Sequence, residues 1–399
     1  MDSRALIEIE EKYGAPNYHP LDVVIERAEG VWVWDVEGKK YMDCLAAYSA
    51  VNQGHCHPRI VRAMLDQAPV LALTSRAFRN NIYPLFTKEV CELLGFDLIL
   101  PMNSGAEAVE TAIKTARKWG YKVKGVAENQ AEIIVCSGNF HGRTTTVISF
   151  SDDDIARRNY GPYTPGFKRV PFGDAKALED AITEHTVAFL VEPIQGEAGV
   201  VVPPEGYLKC CAEICKSKNV LFVADEIQSG LGRTGTLLAC EHEGVKPDMI
   251  TIGKALSGGM YPVSAVLSRQ EVLGVFEHGS HGSTYGGNPL GCAVAREALK
   301  VLVEEKLPQR AAELGEYFIK KLRAIASPHI DFVRGKGLWI GLVLKESAGG
   351  ARRFCNALKD HGILAKDTHE HIIRFAPPLV ITREEIDWAV EQIAAVMQD

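Results

Sequence analysis

Val220-Leu221-Phe222-Val223-Ala224-Asp225-Glu226-Ile227-Gln228 and, further along, Met249-Ile250-Thr251-Ile252-Gly253-Lys254 are the stretches that decide the fold. Each is a short, nearly unbroken apolar run that stops at a charged residue. Apolar runs without alternation suit strands covered on both faces, the habit of parallel sheets. Ile133 to Cys136, Val187 to Val191 and Val263 to Leu267 have the same form. Amphipathic segments separate several of them, such as Ala106 to Trp119 and Leu208 to Lys216. This alternation predicts an α/β fold with a mostly parallel central sheet and helices on both faces.

The two ends read differently. Val31 to Asp35, followed by Glu37-Gly38-Lys39, predicts a small hairpin. Ala293 to Val303 and Leu307 to Ala326 read as helices, and Gly337 to Leu344 as a strand. Thr382 with Glu385 forms a capping box. A last helix follows it, with Ile386, Ala389, Val390, Ile393 and Val396 along one face. The expected division is an N-terminal segment over 1–48, a large domain over 49–304 and a smaller α+β domain over 305–399, interleaved rather than strung in a line.

Composition narrows the function. The 399 residues carry 44 basic and 51 acidic side chains, a net charge of -7, which argues against a general nucleic-acid binder. No apolar run approaches the roughly 20 residues that span a bilayer. The acidic N-terminus lacks the apolar core of a signal peptide, so the chain as given reads as cytoplasmic, with a presequence removed earlier as the alternative. The ten cysteines sit mostly in apolar surroundings and read as small buried hydrophobes in a reducing compartment. Cys210, Cys211 and Cys215 lack a second half at zinc-ligand spacing. His55-Cys56-His57, between Gly54 and Pro58, reads as a turn. No metal is expected.

In open α/β sheets, ligands bind beyond the carboxyl ends of the strands. Four strand ends deliver chemistry there: Asp225, Lys254, Glu192 with Glu197 shortly after, and Phe140-His141-Gly142-Arg143. A lysine at the end of an apolar strand loses solvation, and its neutral amine can attack an aldehyde. Alone it would be an ordinary solvated lysine. Its neighbours suit pyridoxal 5'-phosphate (PLP), which needs a lysine for its aldehyde carbon and a carboxylate for its pyridine nitrogen. Asp225 fits the second need. Ser104-Gly105-Ala106 opens a helix and can cradle phosphate, although Ser104 could equally be a plain N-cap. Phe140 or His141 could stack on the ring. The hydroxyls of the glycine-rich Gly282-Ser283-Thr284-Tyr285-Gly286-Gly287 could add phosphate contacts.

In order, Val191-Glu192-Pro193-Ile194-Gln195-Gly196-Glu197, Ala224-Asp225-Glu226-Ile227-Gln228-Ser229-Gly230-Leu231-Gly232-Arg233-Thr234-Gly235 and Gly253-Lys254-Ala255-Leu256-Ser257-Gly258-Gly259 resemble the class-III aminotransferases of PLP-dependent fold type I. The likeness runs through nearly the whole chain. Tyr48 to Pro58, Tyr13 to Pro20, His281 to Pro289 and Ile373 to Leu379 are most similar to the members acting on ornithine. The resemblance implies Lys254 as covalent anchor and proton carrier, and Asp225 at the pyridine nitrogen. It places Gln228 near the phenolic oxygen, Phe140 on the ring, and Ser104, Gly105 and Ala106 at the phosphate. Thr284 would reach the phosphate of the partner in a homodimer. Ser104 stands where many relatives have threonine, and His141 where some have tryptophan.

The resemblance also implies substrate roles. Tyr18, Tyr48 and Arg143 would hold ornithine by its α-groups. Arg374 would bind the α-carboxylate of 2-oxoglutarate, and Glu197 would pair with Arg374 while ornithine reacts. The pairing makes physical sense, because a free Arg374 would clamp ornithine's α-carboxylate bidentately and present the wrong amine. The plain alternative is a salt bridge with no role. The expected reaction takes the δ-amino group of L-ornithine to 2-oxoglutarate. N-acetylornithine or 4-aminobutyrate as donor, and a catalytically silent binding protein on the same fold, are the alternatives.

Overall fold

The computed structural model describes residues 1–398. Its centre is a seven-stranded sheet in the spatial order Leu98–Met102, Ser264–Ser268, Met249–Ile252, Leu221–Asp225, Thr186–Val191, Glu132–Cys136, Phe167–Val170. Neighbours from Met249–Ile252 to Phe167–Val170 pair in parallel. Ser264–Ser268 runs antiparallel to both its neighbours. Mixed sheets of this kind are one strand away from purely parallel.

The apolar runs are explained by what covers them. Thr186–Val191, Leu221–Asp225 and Met249–Ile252 are buried at every position. Alternate side chains enter two cores. Ile134, Phe189, Phe222 and Ile250 point into one, which also takes the inner faces of helices Tyr207–Ser217 and Pro289–Glu304. Val135, Leu190, Val223 and Met249 point into the other, covered by helix Gly105–Trp119. The expected helices on both faces are therefore present. Pro289–Glu304 starts earlier than its apolar periodicity implies, because Asn288 caps it by accepting the Gly291 N–H at 2.7 Å and Pro289 suits the first turn.

Two strands were invisible to the sequence reading, Leu98–Met102 and Phe167–Val170, and both are edges of the sheet. The first contains Pro101 and the second Lys168-Arg169, residues that edge strands tolerate and central strands do not.

The hairpin expected near Trp32 is real and larger. Ile25–Glu29, Trp32–Asp35 and Lys40–Asp43 form an antiparallel sheet, and Ile363–Leu364 joins it in parallel beside Lys40–Asp43. A third sheet, in the order Ile330–Lys336, Trp339–Leu344, Ile372–Phe375, Lys366–Thr368, carries Arg374. Helix Arg383–Val396 opens with the Thr382–Glu385 capping box and buries Ile386, Ala389, Ile393 and Val396. Among the described residues no helix is long and apolar enough to cross a membrane. His55 and His57 turn to separate carboxylates, Asp43 at 2.7 Å and Glu305 at 3.1 Å.

Candidate active site

A cavity of about 210 Å³ opens at the carboxyl ends of the central strands. Lys254, Asp225 and Gln228 line it from one side, Phe140 and His141 from another, and Gly105 and Ala106 close it at a helix start. These seven expected residues are brought together. Lys254 follows Gly253 in a tight turn and has φ 46°. That left-handed backbone is strained for a residue with a Cβ. Burial pushes its amine down to about 8, and the nearby Glu197 and Asp225 carboxylates limit the fall.

Asp225 ends its strand with both oxygens engaged. Oδ1 accepts the Thr251 hydroxyl at 2.9 Å and the Ile227 N–H at 3.1 Å. Oδ2 lies 2.7 Å from His141 Nδ1. His141 thus stands as a brace behind the carboxylate, which leaves Phe140 as the candidate for the ring-facing place. Burial alone would push the imidazole down, but the Asp225 hydrogen bond and charge outweigh it and hold His141 above its usual value.

Glu192, an acid at a strand end with no role implied by the resemblance, also lines the cavity. Its Oε2 accepts the Phe140 N–H at 2.9 Å and its Oε1 the Gly196 N–H at 3.4 Å. Burial pushes its carboxyl up to about 7. Thr251 was overlooked as well. The available signals were an acid directly after one apolar run and a lone hydroxyl inside another.

The Ser104 hydroxyl is engaged in capping. It accepts the Glu107 N–H at 3.2 Å while Glu107 Oε2 takes the Ser104 N–H at 2.7 Å. This leaves the Gly105 and Ala106 N–H groups at the first turn, where no helical carbonyl is available to them. A Cβ on Gly105 would meet Ile227 Cδ1 at 3.1 Å and narrow the cradle. Ser283 lies close by, its Oγ 2.9 Å from Asn103 Nδ2. Thr284 does not reach this cavity. It is exposed and lines a separate hollow with Arg76 and Asn80.

A phosphate-sized anion fits the helix start. A cationic ring nitrogen fits Asp225, and an aldehyde fits an amine of lowered basicity. The residues present therefore match PLP, with Lys254, Asp225, Gln228, Phe140, Gly105 and Ala106 as the group that could hold it.

The residues expected at the substrate come from other elements. Arg374 is fully buried, with Nη1 2.6 Å from Glu197 Oε1 and Nη2 2.7 Å from Gln228 Oε1. Its Nε has no partner among the described residues. Burial would raise the Glu197 carboxyl, but the Arg374 charge and hydrogen bond hold it below the usual range. The Arg374 guanidinium carbon lies 5.6 Å from the centre of the Tyr48 ring. Arg143 Nη1 donates to the Tyr18 hydroxyl at 3.3 Å, and its guanidinium carbon is 5.0 Å from the Phe140 ring centre. Arg143 and Glu197 share a second cavity that adjoins the first at Phe140 and His141.

Tyr48 sits on unusual backbone. Ala46, Ala47, Tyr48 and Ser49 have φ of 50°, 47°, 59° and 73°, a full turn of left-handed helix without a glycine. Such a conformation costs about 1–2 kcal/mol per residue, so the surroundings must hold it.

The fold and the two facing clusters define a PLP-dependent aminotransferase, and the family comparison agrees. The Aminotransferase class-III family matches residues 13–397, and this chain belongs to it. The chain is similar to an ornithine aminotransferase of Halalkalibacterium halodurans, 59% identical over 394 residues, 99% of this chain and 98% of that one. Among solved structures, the ornithine aminotransferase of Toxoplasma gondii ME49 superposes with a TM-score of 0.98 at 45% identity, covering 100% of this chain and 95% of that one. An acetylornithine aminotransferase of Elizabethkingia anophelis superposes with a TM-score of 0.91 at 53% identity, covering 100% and 99%.

Proposed function

We propose that this chain transfers the δ-amino group of L-ornithine to 2-oxoglutarate, giving glutamate-5-semialdehyde, which cyclises to pyrroline-5-carboxylate, and glutamate. The observation that carries the reading is the pair between buried Arg374 and half-buried Glu197, 2.6 Å long, beside Tyr48. PLP, when bound, supplies the aldehyde carbon that takes the amine and a ring that accepts the electrons released at the reacting carbon.

The chain's own groups do the rest. Asp225, fixed by Thr251, Ile227 and His141, offers its carboxylate to a ring N–H. Phe140 would pack against the cofactor ring. Lys254 Nζ, with its basicity lowered to about 8, would take the proton from the δ-carbon of ornithine and give it up to the carbon that had been the cofactor's aldehyde. Tyr18, Tyr48 and Arg143 hold the α-amino and α-carboxylate groups at the far end.

Glu197 occupies Arg374 during this half, so ornithine's α-carboxylate goes to Arg143 and the δ-amine faces Lys254. A dicarboxylate keto acid carries a second anion. One carboxylate goes to Arg143, the other displaces Glu197 from Arg374, and the α-carbon then faces Lys254. The unpartnered Arg374 Nε is a donor held ready for that carboxylate. In this reading the enzyme is a cytoplasmic homodimer in which Thr284, exposed on its own subunit, completes the partner's phosphate cradle.

The test is direct. The protein with PLP, L-ornithine and 2-oxoglutarate should yield pyrroline-5-carboxylate, trapped by o-aminobenzaldehyde. N-acetylornithine and 4-aminobutyrate, followed by glutamate release, should react weakly. Glutamate from either of those with no pyrroline signal overturns the ornithine reading and leaves the aminotransferase class intact.

A further inference from the structure

Tyr48 is displayed by backbone that its own residues do not favour. The turn Ala46–Ser49 contains no glycine or asparagine, the residues that enter the left-handed region readily. The Ser49 hydroxyl is buried there without a partner among the described residues. Something outside the turn holds it, and the hydrogen bonds identify what does.

We propose that Asp43 and His55 are positioning residues for substrate choice: together they clasp the left-handed turn so that Tyr48 faces the Arg374 end of the site. Asp43 Oδ1 accepts two successive N–H groups at the mouth of the turn, Leu45 at 2.8 Å and Ala46 at 3.0 Å. Its Oδ2 lies 2.7 Å from His55 Nε2. Asp43 is 8% exposed, so water offers little competition for these bonds. His55 is itself fixed. Its N–H donates to Gly30 O at 2.8 Å, and the Gly30 N–H returns to His55 O at 3.1 Å.

Beyond the turn, the Asn52 side chain bonds Leu231 O at 2.9 Å and accepts Arg233 Nη2 at 2.6 Å. At its base, Cys44 O accepts the Ala376 N–H at 2.7 Å, two residues past Arg374. The backbone that carries Tyr48 and the backbone that carries Arg374 are therefore tied at one seam. Without the Asp43 clasp the turn is free to relax to right-handed geometry, which redirects the Tyr48 side chain while leaving Arg374 on its strand.

This inference rests on the reading of Tyr48 as a contact for ornithine, and the experiment separates the two. The quantity measured on the holoenzyme is kcat/KM for ornithine divided by kcat/KM for 4-aminobutyrate. Asp43→Ala should lower this ratio at least about tenfold, with the glutamate half-reaction held within about twofold. Adding Ala47→Gly to Asp43→Ala should restore most of the ratio, because glycine enters the left-handed region without help. Ala47 is exposed, and Ala47→Gly alone should keep the ratio and raise Tm by about 1–2 °C. An unchanged ratio in Asp43→Ala overturns the clasp, as does a fall that Ala47→Gly cannot rescue. Tyr48→Ile tests the underlying reading. If it leaves the ratio alone while Asp43→Ala lowers it, the effect does not run through Tyr48 and the clasp is again overturned. If Tyr48→Ile lowers the ratio and Asp43→Ala does not, the ornithine contact stands and only the clasp falls. Should Asp43→Ala fail to accumulate, His55→Gln takes its place: a fall of about threefold or more supports the clasp, and no change overturns it.

Discussion

The two halves of the site are held by different kinds of structure. The half proposed to meet the cofactor hangs from the ends of strands buried on both faces. Asp225 is the last residue of one strand, Lys254 lies two residues past another, and His141 is wedged behind Asp225 at 2.7 Å. The half proposed to meet the substrate is assembled from outlying pieces. Tyr18 is 64% exposed, Tyr48 rides a strained turn, and Glu197 bonds a buried arginine while its own side chain stays partly open to solvent. Close packing on both faces leaves the first half one geometry. On the proposed reading, the second half contains an ion pair that opens for the keto acid and a turn held by a clasp. The chemistry of the class would then sit in close-packed structure and the choice of substrate in looser structure.

Breaking the fixed half should have the largest effects. Lys254→Ala should lower turnover by about 10⁴-fold or more, read as loss of the pyrroline signal, since both the covalent anchor and the proton carrier are gone. Asp225→Ala should cost about 10²–10⁴-fold with little change in KM for ornithine, because it acts on the cofactor rather than on binding. A loss confined to KM would contradict that placement.

The movable half should respond through preference instead. Glu197→Gln removes the anion that masks Arg374. The ratio of kcat/KM for ornithine to that for glutamate should fall about tenfold, and an unchanged ratio would reduce the pair to an ordinary salt bridge.

Acid–base behaviour sharpens the contrast. The neutral amine is the nucleophile, and burial lowers the pKa of Lys254 to about 8. Its uptake of added pyridoxal in the cofactor-free protein, followed by absorbance, should rise as pH passes through about 8. A rise only near the ordinary lysine value of about 10.4 would mean the amine is solvated. The smallest effect is expected from Gly105→Ala, where Ile227 at 3.1 Å must give way. Cofactor retention in a dilution assay should weaken by only about threefold, well under 1 kcal/mol.

Legibility in the sequence followed the same division. Met249–Ile252 was readable to the residue because both its faces are buried and its apolar run is unbroken. Lys254 and Asp225 were readable because they terminate such runs. Leu98–Met102 and Phe167–Val170 were not, since a sheet edge admits proline and charge. The left-handed turn at Tyr48 was hidden for a different reason. Ala46-Ala47-Tyr48-Ser49 contains none of the residues that announce a positive φ, and its cause lies in Asp43 and His55. His141 was read as a possible stacking face because aromatic character is visible in a sequence and a hydrogen bond to Asp225 is not.

The pairing of Lys40–Asp43 with Ile363–Leu364 sets an order of events during synthesis. The strand that leads into the Tyr48 turn leaves the ribosome early, and its neighbour emerges only near the end. At about 5–20 residues per second, the first waits about 15–65 s for the second. The central sheet can form during that interval, with Lys254 and Asp225 in place before the substrate side closes. On the proposed reading, the nascent chain would gain the means to hold a cofactor before it gains the means to choose an amine.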